Sequence, residues 1–289
     1  MPTIFALASG RSGTHFLSQL IRRNVDSRKA GGCVVRHEPY VFNPSMFGRP
    51  IYDFAMGERQ YTRTLLERKA RIVQRCGAKT YVETSHAFLK SYFDLAPAYF
   101  DNLKVIHLVR NPQQVARSEA NREELTHWLH LPLRHYRGGD RRLYFRWSLT
   151  GLEPIFQHFD LAELSLFQRY AIQWIEIENR AMQFLDRFSM HDRCFTLQTP
   201  HDLNDKQRVA ELIEFLELPR RGEISLAGRR NLNPKPTVIS DGDQRQFVEV
   251  IAALPRDRLE IFAHPPYDRW SWTSALTSAA SPLAQPSVQ

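Results

Sequence analysis

Three groups of residues in this chain have the types and spacing to handle an anion and move a proton beside it. The first is the loop Ser9-Gly10-Arg11-Ser12-Gly13-Thr14, with two glycines around a cation. Its apolar approach, Ile4 to Leu7, reads as a buried strand, and Phe16, Leu17, Leu20 and Ile21 after it recur at helical spacing. A strand, a Gly-rich turn and a helix N-terminus make an anion site, because free backbone N–H groups and the helix dipole point into the turn. Gly10 and Gly13 let backbone approach phosphate oxygens, with Arg11, Ser12, Thr14 and His15 beside them. The second group is Arg110-Asn111-Pro112 with Ser118 about two helical turns later. Arg offers a planar fork to phosphate oxygens and Ser a neutral donor. The third is acid–base: Glu38 in His37-Glu38-Pro39, and His86 in Glu83-Thr84-Ser85-His86. A neutral imidazole suits proton abstraction near neutral pH, and a carboxylate does so as the acceptor oxygen loses its proton in the transition state.

Strand ends are what would bring these groups together. Cys33-Val34-Val35 reads as a second strand delivering His37 and Glu38, with Pro39 biasing Glu38 towards an extended conformation. Ala78 to Ser85 reads as a third, ending at His86. Leu103 to Arg110 is a nearly continuous apolar run, the pattern of a parallel strand buried on both faces, and a helix follows from Pro112. Ligands in open α/β sheets sit beyond the carboxyl ends of the strands, which places His37 and Glu38 on the same rim as the Arg11 loop. Each group has a plainer reading: a tight turn with a surface Arg, a solvated Glu at a strand end, a packing or capping His86, an Arg at the end of a strand.

The remaining chain reads as scaffold. Tyr61 to Arg75 and Lys206 to Leu218 are amphipathic, Leu161 to Phe188 is a long helical stretch, and Arg193 to Thr199 is a strand. Asp241 to Leu254 and Asp257 to Phe262 read as closing helices. Tyr40 to Met56 and Arg117 to Gly151 look irregular, the second an insertion near an acceptor entrance or a homodimer contact. His127, His130 and His135 lack a carboxylate or thiolate partner, so no metal site is expected. Arg134, Arg137, Arg141 and Arg142 would attract an anionic acceptor or form a solvated face.

The 289 residues carry 39 Lys plus Arg against 31 Asp plus Glu, a formal charge of +8, and are 43% hydrophobic. That composition suits a globular protein with a polyanionic ligand and argues against disorder. Cys33, Cys76 and Cys194 have no CxxC spacing, so zinc and a disulfide framework are unsupported. No stretch of about 20 apolar residues exists, and the N-terminal run has no basic flank, so a cytoplasmic protein is expected. The expected organisation is one domain over 1–270, with acceptor-side insertions near 36–60 and 123–160, and a flexible Ser/Ala/Pro-rich tail at 271–289.

The motifs together resemble those of sulfotransferases that use 3′-phosphoadenosine 5′-phosphosulfate (PAPS), over most of residues 1–218. Arg11-Ser12-Gly13-Thr14 is similar to that family's 5′-phosphosulfate loop, and Arg110-Asn111-Pro112 with Ser118 to its 3′-phosphate motif. His37-Glu38-Pro39 is similar to the Glu-bearing segment of carbohydrate and tyrosylprotein members. His86 is similar to the basic His of cytosolic ones. Tyr170-Ala171, Trp174 and Asn179-Arg180 resemble a core helix of bacterial members, the type this chain most resembles. The resemblance implies a P-loop NTPase-like three-layer α/β fold with a central parallel sheet and helices on both faces. It implies PAPS as co-substrate, no metal, and sulfuryl transfer to a hydroxyl or amine on a small molecule or glycan. Arg11 would be catalytic with Glu38 or His86 as base, and the basic loop at Arg229 and Arg230 would cover the nucleotide.

Two other function classes stand beside this one. A P-loop nucleotide or small-molecule kinase would need a Lys after the second glycine, where Thr14 stands, and usually a carboxylate for magnesium, where Arg110 ends the strand. A basic nucleic-acid-binding protein would concentrate its arginines, which here are scattered among buried-looking strands.

Overall fold

The computed structural model describes residues 2–129, 134–226 and 237–278. In chain order the first half comprises β1 (Pro2–Ala8), α1 (Thr14–Asn24), β2 (Cys33–Arg36), α2 (Pro44–Phe47), α3 (Arg49–Ala55), α4 (Gln60–Arg75), β3 (Thr80–Glu83), β4 (Asn102–Val109) and α5 (Pro112–Trp128). There follow β5 (His135–Arg137), β6 (Leu143–Phe145), α6 (Leu166–Arg187), β7 (Cys194–Gln198), α7 (Lys206–Phe215) and α8 (Asp241–Ala253). Among the described residues, five strands form one sheet in the order β2-β3-β1-β4-β7, every pairing parallel. This is the expected α/β arrangement, with β1 at the centre.

The side chains of β1 alternate between two cores. Ile4 and Ala8 meet Leu17, Leu20 and Ile21 of α1 and Val209, Leu212 and Ile213 of α7 on one face. Phe5 and Leu7 meet the other face, with residues of α4, α5, α6 and α8. A period of two along the strand therefore builds three layers from one sequence segment. Strand order puts the carboxyl ends of β1, β2, β3 and β4 side by side, and the anion loop, Glu38, His86 and Arg110 all follow those ends.

Below the rim, β3 is held by buried charge. Lys69 Nζ lies 2.7 and 2.6 Å from the two Glu83 oxygens, and Tyr81 and Tyr92 hydroxyls donate to them at 2.7 and 2.8 Å. Both charges are satisfied, which such burial demands. Glu83 is thus a structural residue. Trp174 is likewise core, stacked on Phe262 with centroids 5.3 Å apart.

Four local expectations change. Arg117 to Gly151 is not irregular throughout: α5 continues to Trp128, and β5 and β6 form an antiparallel hairpin. Tyr40 to Met56 contains α2 and α3. Residues 257–262 form 3₁₀ turns instead of a regular helix. The segment from 271 begins with ordered turns that bury Thr273 and Leu276, and the rest of it lies outside the described residues. Among the described residues, no helix is long and apolar enough to cross a membrane.

Candidate active site

The anion loop is tied down from within. Ser9 and Ser12 are fully buried and share a 2.7 Å hydrogen bond, so the Ser12 hydroxyl braces the turn. Arg11 has φ 59°, and Gly13, the N-cap of α1, has φ 96°. Gly13 uses a freedom that only glycine has cheaply, whereas Arg11 is held there against its preference. Gly10 is required for a different reason. A Cβ at this position would stand 1.8 Å from Glu119 Oε1 of α5, so loop and helix pack with no room for a side chain.

The Arg110 motif closes on this loop. Asn111 caps α5, its side chain accepting from the N–H groups of Gln113 and Gln114 at 3.0 and 3.2 Å, and Pro112 occupies the first turn. That geometry turns Arg110 back so that Nη1 donates to the Arg11 carbonyl at 2.9 Å. Arg11 in turn donates from Nε to Ser118 Oγ at 2.9 Å. Two motifs far apart in sequence are therefore joined by direct bonds. Burial lowers the pKa of Arg110, and the charge of Arg11 lowers it further. Burial likewise lowers that of Arg11, against the pull of Glu119. Guanidinium groups nevertheless stay charged at any working pH. Two half-buried cations at a helix N-terminus create a strong demand for an anion.

Across from them stands the acid–base pair. Glu38 has φ 43° and not the extended conformation expected before Pro39, a strained backbone for a residue other than glycine. Its Oε1 lies 3.1 Å from His86 Nε2, and its Oε2 accepts from Trp147 Nε1 at 3.2 Å. The Glu38 side chain is 15% exposed and that of His86 only 1%, so the carboxylate faces the opening and the imidazole backs it. Desolvation raises the Glu38 pKa, but His86, His37 and Arg122 outweigh it and leave the carboxyl well below its ordinary range. Burial and the neighbouring Lys90 push the His86 pKa down against the attraction of Glu38. His37 is pinned to Thr84, its Nδ1 3.1 Å from the hydroxyl, and meets His15 edge to face at 5.0 Å.

A cavity of about 280 Å³ gathers these side chains, lined by Arg11, Gly13, Thr14, His15, Glu38, His86 and Arg110 from the sequence reading. Gly10, Ser12 and Ser118 support it from behind. Arg229 and Arg230 lie outside the described residues. Among the described residues, no group of three or more His, Cys, Asp or Glu is arranged to hold a metal ion.

Sequence reasoning named neither Arg122 nor Trp147 and gave no site role to the other two lining residues, Phe16 and His37. Arg122 sits one helical turn after Ser118, on the same face of α5, and that spacing was a usable signal. It pairs with Glu119, the carboxylate packed on Gly10, and covers the Trp147 ring at 4.8 Å. Trp147 follows the β5–β6 hairpin, and nothing local announces where that hairpin lands. The arrangement can hold two anionic groups on Arg11 and Arg110 and offer a carboxylate to a proton on the cavity's other wall.

No family model and no curated protein matches the chain. Among solved structures, it is similar to a sulfotransferase from Alicyclobacillus acidocaldarius, with a TM-score of 0.46 and 17% identity over 88% of this chain and 94% of that one. The sulfotransferase domain from the curacin biosynthetic pathway gives a TM-score of 0.47 and 13% identity over 96% and 97%. Mouse sulfotransferase SULT7A1, solved with PAP, gives 0.46 and 12% over 96% and 88%.

Proposed function

We propose that this chain is a PAPS-dependent sulfotransferase that moves a sulfuryl group to a hydroxyl or amine acceptor, on a carbohydrate or another small alcohol. The observation that carries this reading is the bonded chain Arg110–Arg11–Ser118 beneath a cavity whose opposite wall is Glu38. A donor with phosphates at the 3′ and 5′ positions of one ribose needs two anion sites separated by that sugar ring, and the direct bond between Arg110 and Arg11 supports this reading.

In this reading the loop N–H groups and Arg11 bind the 5′-phosphosulfate and Arg110 the 3′-phosphate, while Ser118, expected from the sequence to touch that phosphate, is buried and holds Arg11 from behind. The acceptor oxygen enters beside Glu38 and attacks sulfur in line. The bond from sulfur to the 5′-phosphate oxygen breaks, and Arg11 and the α1 N-terminus stabilise the charge that develops there. Glu38 receives the acceptor's proton. A carboxylate of low pKa is a weak base towards a resting alcohol, so transfer comes late, once the oxygen has begun bonding to sulfur. His86, buried behind Glu38, is a positioning residue. Alignment of the reactants and charge stabilisation supply most of the rate.

The test is incubation with PAPS and a panel of hydroxyl and amine acceptors, following release of 3′,5′-adenosine bisphosphate and sulfated product. Turnover that Arg11→Ala abolishes, with the fold retained, is expected. Normal turnover by that variant, or transfer from ATP and not from PAPS, would overturn the reading.

A further inference from the structure

Trp147 is surrounded by cations. The guanidinium carbons of Arg122, Arg146 and Arg134 lie 4.8, 5.4 and 5.8 Å from its ring centroid. Arg122 has a carboxylate partner in Glu119. Arg146 and Arg134 have none among the described residues. Arg146, only 4% exposed, donates to the Val41 carbonyl, and half-buried Arg134 donates to the Thr126 hydroxyl at 3.0 Å. Burial lowers the pKa of Arg146, and the charge of Arg134 lowers it further, as expected of two cations sharing one site.

Buried charges are normally paired with opposite charge, and a neutral carbonyl, a hydroxyl and an aromatic face only partly offset two guanidinium groups. The other arginines of this region are placed differently. Arg137 and Arg142 are exposed, and they bond to the Arg141 carbonyl and to Asp140 within their own hairpin. Arg134 and Arg146 instead converge on the indole whose Nε1 holds Glu38, so their field lies one indole width from the carboxylate of the proposed base. The nucleotide's phosphates have their own cations in Arg11 and Arg110.

Resting on the sulfotransferase reading, we infer that the acceptor itself carries an anionic group, a carboxylate, sulfate or phosphate. Arg134, with Arg146 behind it, binds that group beside Trp147 while the reacting hydroxyl meets Glu38. The acceptor class is thus a hydroxylated acid whose reacting hydroxyl lies in the cavity and whose charged substituent reaches past Trp147, which lines it, to Arg134, which does not.

The experiment compares hydroxy acids with their uncharged carboxamides (a sugar uronate and its amide, 4-hydroxyphenylacetate and its amide) in wild type and Arg134→Gln. Wild type is expected to favour the acid by about tenfold or more in kcat/KM, the scale of one charge-assisted contact. Arg134→Gln is expected to lose that preference, with kcat/KM for the acid falling to that for the amide, while binding 3′,5′-adenosine bisphosphate as wild type does. Arg134→Lys should restore part of the preference. Equal use of acid and amide by a wild type that binds the bisphosphate would overturn this inference alone, as would a preference that survives Arg134→Gln. A wild type that does not bind the bisphosphate would overturn the donor reading and this inference with it.

Discussion

Replacing Lys90 with methionine tests the electrostatics behind the cavity. Lys90 has no exposure to solvent, and its Nζ donates to the Trp147 carbonyl. Burial lowers its pKa to about 7, with Arg122 adding to the effect and Glu119, Glu38 and Glu153 opposing it. In an unfolded chain a lysine titrates near ~10.4. Between those values the unfolded chain holds a proton that the folded chain has released. Unfolding then takes up a proton, so stability rises with pH across this window and is level below it. Integrating the two titrations from pH 7 to pH 9 gives a gain of about 2 kcal/mol from this one group. The assay is urea unfolding of wild type and Lys90→Met at both pH values. Cys33 and Cys194, whose thiols burial pushes up to about 11 and about 12, titrate in both proteins and cancel in the comparison. The lost bond to Trp147 lowers the variant at both pH values alike. Wild type should therefore gain about 2 kcal/mol more than the variant between pH 7 and pH 9. Equal gains would show that Lys90 keeps an ordinary pKa, refuting the account of this buried cluster.

Three further outcomes follow from the geometry. Gly10→Ala places a methyl group against the Glu119 carboxylate, and relieving that clash should cost about 1–3 kcal/mol and weaken bisphosphate binding, measured by denaturation and calorimetry. Arg110→Ala should raise the bisphosphate Kd by about ten- to a hundredfold, the worth of a lost charge-assisted contact, with the unfolding midpoint little changed. Glu38→Gln should bind the bisphosphate as wild type does yet lose about a hundredfold or more in kcat, whereas an equal loss in binding would place Glu38 in the nucleotide site.

What was legible in the sequence was local. The β1–loop–α1 unit announces itself because an apolar run, two glycines and a helical stripe are adjacent, and Arg110 to Ser118 because strand end, cap and helix follow in order. The parallel sheet was legible from the apolar run before Arg110. Helix α5 was cut short because the face it buries is made of small and polar residues, Ala116, Ser118, Ala120 and Asn121, which leave no apolar stripe to follow. Glu38 was placed on the correct rim with the wrong backbone. Pro39 disfavours one conformation, but the contacts of the carboxylate with His86 and Trp147 accompany a positive φ that no neighbouring residue type demands. Trp147 and Arg146 were illegible, since their place depends on where the β5–β6 hairpin packs, a matter of tertiary contact and not of local pattern.

The central claim is that Arg11 and Arg110 grip a single nucleotide carrying phosphate at both its 3′ and 5′ positions. Calorimetric titration with 3′,5′-adenosine bisphosphate, against adenosine 5′-monophosphate and with a chelator present, tests it most directly. The account predicts one bisphosphate per chain, bound about tenfold or more tightly than the monophosphate, with that advantage gone in Arg110→Ala. Equal affinity for the two nucleotides, or no heat from either, would contradict it.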